Sequence, residues 1–237
     1  MSKVQFPSQT IQSTNLVGGE WAAGKGEKIQ VFSPYNGQLV GQTNASEAAE
    51  VDQAVEFAHQ AFELWKQVPI KERTQIMFRF RDILLKNADN ISNMVALESG
   101  KTLNEARAGL MKGVEVLEFA LSLQNLDSGS KMEVSRGVHC EYRREPLGVV
   151  ASITPFNFPA MVPMWTIPIA ITLGNAYVWK PSEKTPLTAT LIGEALLEAG
   201  LPKGVLTILN GKAQTVNSII DHDKIKAVGF VGSSKIA

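Results

Sequence analysis

The segment Thr154-Pro155-Phe156-Asn157-Phe158-Pro159 sets one asparagine between two prolines. Fixed proline φ angles stiffen such a turn and aim the Asn157 amide in one direction, as a donor to a developing oxyanion requires. An asparagine in a turn can equally satisfy neighbouring backbone groups, so the residues alone leave both readings open. Lys180-Pro181-Ser182-Glu183-Lys184 reads, on its residues, as a charged loop after a strand. Gly211 suits either a close backbone approach to a ligand or a plain turn. Gly232-Ser233 offers backbone N–H groups and a hydroxyl to phosphate oxygens where a strand runs into a helix. The single cysteine, Cys140, lies in a short alternating segment with no basic partner or helix N-terminus to lower its pKa, so it reads as a small strand residue rather than a nucleophile. His59, His139 and His222 are too scattered to be ligands, and no metal is expected.

The elements that must position these residues follow from hydrophobic spacing. From Leu147 onward, near-continuous apolar strands over 148–153, 176–179, 205–208 and 227–231 alternate with helices, the pattern of a parallel, Rossmann-like sheet covered on both faces. Ligands of such sheets bind at the carboxyl ends of the strands, and each candidate above follows a strand end. Pro159, Pro163 and Pro168 predict a kinked, protein-buried helix over 156–173. Upstream lies a helical layer. Val51, Val55, Ala58, Phe62 and Trp65 recur at helical spacing behind Ser46 as N-cap; Ile76, Phe80, Ile83 and Leu84 form a second stripe after Pro69. A third helix runs from 91 to 99 and stops at Gly100, and a fourth carries Ala106, Leu110, Val114, Leu117 and Leu121. Before this layer, 18–40 reads as small strands joined by turns. Between layer and sheet, Glu133 to Arg144 alternates as a β-ribbon turning at Arg136-Gly137, read as polar on both faces and projecting from the core.

With 237 residues, 44% of them hydrophobic, the chain can bury a substantial core. Lys plus Arg and Asp plus Glu number 23 each, which argues against a general nucleic-acid binder or a charge-driven membrane protein. No signal peptide or membrane span is read, and a cytoplasmic protein is expected.

The order of Thr154-Pro155-Phe156-Asn157-Phe158-Pro159, Gly174-Asn175 and Lys180-Pro181-Ser182-Glu183-Lys184-Thr185-Pro186 resembles the aldehyde dehydrogenase superfamily. The likeness extends over nearly the whole chain through Gly19-Glu20-Trp21, Ser33-Pro34 with Gly37, Glu98-Ser99-Gly100-Lys101, Gly200-Leu201-Pro202, Gly204-Val205 and Phe230-Val231-Gly232-Ser233. The run 155–163 is most similar to the methylmalonate-semialdehyde dehydrogenases, which oxidise a semialdehyde to an acyl-CoA.

The resemblance implies a truncated aldehyde dehydrogenase fold: α/β, with the strands and helical layer of an NAD-binding domain over 1–126, an oligomerisation hairpin over 127–146 and a Rossmann-like part over 147–237. The catalytic domain and its nucleophilic cysteine are expected beyond Ala237, and the last residues read as the first turn of an unfinished α/β unit. Asn157 would donate to the oxyanion of the cysteine thiohemiacetal. NAD would lie against Ile153, Thr154, Pro155, Phe156, Ser182, Gly211, Gly232 and Ser233, with Lys180 and Glu183 on the adenosine ribose. Glu183 would repel the 2'-phosphate of NADP. The superfamily binds its cofactor without a G-x-G-x-x-G fingerprint, and this chain has none. Arg107 would hold a substrate carboxylate, where its residues alone equally allow a solvated helix charge paired with Asp or Glu; CoA would be co-substrate, and the 131–145 hairpin would pair subunits of a homo-oligomer. The alternatives are an inactive NAD-binding or assembly fragment, a non-CoA aldehyde dehydrogenase, and a related reductase of acyl phosphates.

Overall fold

The computed structural model describes residues 3–126 and 129–234. Five short strands come first: β1 (Ile11–Gln12), β2 (Asn15–Val17), β3 (Glu20–Ala22), β4 (Lys28–Phe32) and β5 (Leu39–Asn44). Four helices follow: α1 (Ala48–Trp65), α2 (Ile70–Lys86), α3 (Ala88–Ser99) and α4 (Leu103–Leu126). A hairpin of β6 (Ser130–Ser135) and β7 (Val138–Tyr142) leads to β8 (Val149–Ile153), α5 (Met161–Met164), α6 (Ile167–Thr172) and β9 (Ala176–Lys180). The chain continues through α7 (Pro186–Glu198), β10 (Leu206–Ile208), α8 (Ala213–Ile220) and β11 (Ile225–Phe230).

The four strands read from apolar runs form one parallel set, in the order β11-β8-β9-β10. Their side chains alternate between two cores, as a pleat requires. Tyr177 and Trp179 face the core built by α2, α4, α6 and α7, whereas Ala176 and Val178 face α1 and α8. The extent of the sheet differs from expectation. β2 and β3 continue it antiparallel beyond β10, with Leu16 opposite Ile208, so the sheet has six strands and is mixed. The remaining N-terminal strands form a separate sheet, β1-β5-β4, whose Val31 and Val40 pack on Leu97 and Leu187.

The helical layer has the predicted stripes, with Val51, Phe80, Leu84, Leu110 and Leu117 all buried. Gly100 ends α3 in the left-handed region at φ 73°, a conformation that costs glycine nothing. Ser46 is not the cap of α1. That position belongs to Glu47, whose N–H donates to Glu50 at 2.9 Å, while the buried Ser46 hydroxyl donates to the Asn210 carbonyl at 3.0 Å. The proline-rich stretch after β8 is broken rather than kinked: α5 and α6 are separate, with Pro168 in the first turn of α6.

The ribbon turns at 136–137 as expected, but its faces differ. Met132 lies opposite Cys140, and Val138 and Tyr142 share the Cys140 side of β7, so this face is apolar. Lys131, Glu133, His139 and Glu141 occupy the other. Met132, Val138 and Tyr142 are all more than half exposed. Asp127 and Ser128, where the hairpin segment is expected to begin, and 235–237, where a further helix turn is expected, lie outside the described residues. Among the described residues, no helix is long and apolar enough to cross a membrane.

Candidate active site

Parallel pairing brings the ends of four strands to one edge. Ile153 stands beside Lys180 on one side and Phe230 on the other, and Trp179 stands beside Ile208. The ladder continues past the strand ends: Thr154 N–H donates to the Lys180 carbonyl at 3.2 Å, Val231 N–H to Ile153 at 3.2 Å and Leu209 N–H to Trp179 at 2.9 Å. The segments carrying Thr154, Ser182, Gly211 and Gly232 therefore emerge side by side at the carboxyl edge, where α/β sheets bind ligands.

Lys180 closes β9 with its side chain only 6% exposed, and its ammonium lies 3.5 Å from the Glu183 carboxylate, which is 35% exposed. Burial lowers the Lys180 pKa and Glu183 opposes that shift. A separation of 3.5 Å is long for a hydrogen bond and leaves ammonium protons for another acceptor. The loop between them is tight. Ser182 accepts from the Lys184 N–H through its hydroxyl at 3.3 Å and from the Thr185 N–H through its carbonyl at 3.0 Å. A buried ammonium and a half-exposed carboxylate at one strand end match the paired donor and acceptor character of a vicinal diol, so these residues fit a ribose.

The asparagine turn is anchored on both sides. Thr154 is buried, and its hydroxyl accepts from the Trp179 indole N–H at 2.9 Å. The ammonium of Lys184 lies 4.4 Å from the centre of the Phe156 ring, and that of Lys101 lies 3.7 Å from the centre of the Phe158 ring. Asn157, between the two rings, is exposed, and its side-chain amide makes no hydrogen bond among the described residues. It does not serve the local backbone, the bland role open to an asparagine in a turn.

Gly211 is buried and tightly packed: a Cβ there would fall 2.0 Å from the Thr215 hydroxyl, which itself donates to the Ser46 carbonyl. Gly232 and Ser233 are exposed beside the Thr154 segment.

Arg107 is not brought to this group. It forms an exposed ion pair with Asp89 of α3 and lines a separate cleft of about 460 Å³ with Lys3, Gln5 and Asn93. The side of α4 that meets Phe158 and Pro159 carries Ala106, Gly109 and Leu110. At about 100° per residue, Arg107 is turned well away from Gly109.

Sequence reading passes over three supports of the site. It treats Trp179 only as an apolar strand residue and Lys184 only as part of a charged loop. Glu98 enters it only within a motif, yet this residue is fully buried and accepts from the first N–H groups of α7. A charged residue at the end of an otherwise apolar helix stripe is the available signal.

A model of the aldehyde dehydrogenase family matches residues 21–237. The chain is 40% identical over 236 residues to malonate-semialdehyde dehydrogenase 2 of a Bacillus cereus strain, covering 99% of this chain and 48% of that protein. It is 42% identical to malonate-semialdehyde dehydrogenase 1 of Geobacillus kaustophilus, covering 97% and 47%. Among solved structures it resembles the methylmalonate-semialdehyde dehydrogenase of Oceanimonas doudoroffii, with a TM-score of 0.93 and 37% identity over 96% of this chain and 47% of that one. A proposed methylmalonate-semialdehyde dehydrogenase of Sinorhizobium meliloti 1021, complexed with NAD, gives a TM-score of 0.94 and 35% identity over 98% and 48%. The chain spans about half the length of the curated relatives it matches. It belongs to the aldehyde dehydrogenase family.

Proposed function

We propose that this chain supplies the NAD-binding part and the oxyanion-stabilising asparagine of an enzyme that oxidises a malonate- or methylmalonate-semialdehyde to an acyl-CoA. The observation that carries the reading is the Lys180–Glu183 pair at the carboxyl edge of the sheet, on the strand beside the one whose turn carries an Asn157 amide without a partner among the described residues. Lys180 would donate to the adenosine ribose and Glu183 would accept from it, with Ser182 shaping the loop between them. Ile153, Thr154, Pro155 and Phe156 would flank the cofactor, and the Gly211, Gly232 and Ser233 segments would approach it from neighbouring strand ends. Bound NAD supplies the hydride acceptor. Asn157 would donate its amide to the substrate oxygen as negative charge develops there.

The semialdehyde substrate and CoA are proposed from the family likeness and from the names of the malonate-semialdehyde dehydrogenases. We assign no substrate contact to Arg107 within this chain. The apolar, exposed face of the β6–β7 ribbon supports its use as a subunit contact in a homo-oligomer. A single cysteine and no disulfide framework fit a cytoplasmic enzyme.

A second reading, a cofactor-binding or assembly unit without turnover, draws on Cys140, which stands exposed on a ribbon whose strands, among the described residues, pair only with each other. Calorimetric titration of the chain with NAD and NADP tests the cofactor reading. NAD should bind more tightly than NADP, and Glu183→Ala should weaken NAD by about tenfold, the equivalent of one lost charge-assisted hydrogen bond. Equal affinity for both cofactors, or an indifferent Glu183→Ala variant, would overturn it.

A further inference from the structure

Glu98 is the penultimate residue of α3 and is 3% exposed. One carboxylate oxygen accepts the Leu187 N–H at 2.7 Å. The other accepts the Thr188 N–H at 2.8 Å and the Thr188 hydroxyl at 2.6 Å. Leu187 and Thr188 directly follow Pro186, the first residue of α7, so this carboxylate takes up the N–H groups that a helix start leaves unpaired, at the positive end of its dipole.

A helix is ordinarily capped by its own N-cap residue. Here Thr185 holds that position, makes no capping hydrogen bond, and leaves its buried hydroxyl without a partner among the described residues. The cap comes instead from a residue 89 positions away. A buried carboxylate is a costly way to satisfy two amides unless the location of the helix start is itself at stake.

What begins there is the far end of the ribose loop. Lys180 is held at one end by its pairing with Ile153, Leu187 is held at the other by Glu98, and Glu183 lies between. Glu98 and Glu183 line one cleft of about 530 Å³, together with Lys184 and Phe156. Behind Glu98 the backbone is also fixed, because Gly100 turns back in the left-handed region against Pro34.

We propose that Glu98 is a positioning residue for the cofactor: by fixing the start of α7 it sets where Glu183 and Lys180 stand, and so sets affinity for the adenosine end of NAD. The inference rests on the cofactor reading above. It is tested by calorimetry at about pH 8.5, where Glu98 is a carboxylate, with ADP-ribose and NAD on the unmodified chain, on Glu98→Gln and Thr188→Val, and on Leu84→Ala, a core truncation in α2 that serves as a destabilised control. Glu98→Gln keeps the volume but turns an amide NH₂ toward the donors of Thr188. It should weaken both ligands by about tenfold, and Thr188→Val by about threefold, while Leu84→Ala, though lower in Tm, should keep its dissociation constants within about twofold. Glu98→Gln binding as tightly as the unmodified chain would overturn the proposal and leave Glu98 a stabiliser of the fold alone. If that variant does not fold, Thr188→Val decides by the same criterion. Failure of the unmodified chain to bind either ligand would instead sink the cofactor reading and this inference with it.

Discussion

Trp179 donates its indole N–H to the Thr154 hydroxyl at 2.9 Å, and this bond links β9, which ends in Lys180, to the turn that carries Asn157. Both partners are buried, so neither has water as an alternative. Trp179→Phe should destabilise the chain by about 2 kcal/mol, combining an unsatisfied hydroxyl with lost volume. In a urea double-mutant cycle with Thr154→Val, a coupling of about 1 kcal/mol is expected, and additive effects would mean that the bond contributes nothing.

The contribution of Glu98 to stability should fall as pH rises from about 4.5 to about 7. Burial pushes the Glu98 carboxyl up to about 7, with the Thr188 hydroxyl and the Leu187 and Thr188 amides pulling the other way. The folded chain therefore holds a proton there that the unfolded chain has already lost, and raising the pH across this window favours unfolding, by about 3 kcal/mol in all. Glu194, raised by partial burial, acts in the same sense. Lys28, Lys184, Lys212 and Glu183 share the cleft with Glu98, so the comparison must be made by difference. Urea midpoints of the unmodified chain minus those of Glu98→Gln, taken from about pH 4.5 to about 8, should isolate the Glu98 contribution. A flat difference curve would show that Glu98 does not titrate in this range.

What the sequence disclosed, and what it hid, follows from the range over which each feature is encoded. The buried stripe of α4, from Ala106 to Leu121, is written at a spacing of three and four residues and was legible. So were the buried runs of β8 and β9 and their parallel order. The pairing of Leu16 with Ile208 joins residues nearly a chain length apart, and nothing local in either strand records it. Ser46 has the chemistry of a cap, yet tertiary contact with Asn210 claimed its hydroxyl. The charge of Glu98 at the end of an apolar stripe marks the residue, but its partners Leu187 and Thr188 lie too far along the chain for the cap itself to be read. The apolar face of the ribbon, by contrast, was present in the alternation of Met132, Val138 and Tyr142 and was masked only by the charged residues between them.

Arg107 should tolerate replacement. Its ion pair with Asp89 is exposed on both sides, and pairs of this kind contribute less than about 1 kcal/mol. Arg107→Ala should therefore shift the urea midpoint little and leave NAD affinity unchanged. In a longer protein with turnover, the KM for a carboxylate-bearing aldehyde should also hold, and a rise of about tenfold or more would return the residue to the substrate site.

Asn157→Ala separates binding from chemistry. The amide has no partner among the described residues, so its loss should leave stability and NAD affinity close to those of the unmodified chain. In a protein that also carries the nucleophile, acylation should slow by about 3 kcal/mol, the usual cost of losing one oxyanion donor. Unaltered single-turnover acylation would remove Asn157 from the mechanism.

The ribbon should govern assembly without touching the cofactor site. Met132, Val138 and Tyr142 expose an apolar face that would cost little to bury against a second subunit and that invites nonspecific association if left open. Val138→Lys sets a charge on that face, and in sedimentation velocity it should shift the chain toward the monomer. Because β6 and β7, among the described residues, pair only with each other, the sheet edge that carries Lys180 and Glu183 is not disturbed, and NAD affinity should stay within about twofold. A variant that sediments like the unmodified chain would show that the ribbon's apolar face is not the contact between subunits.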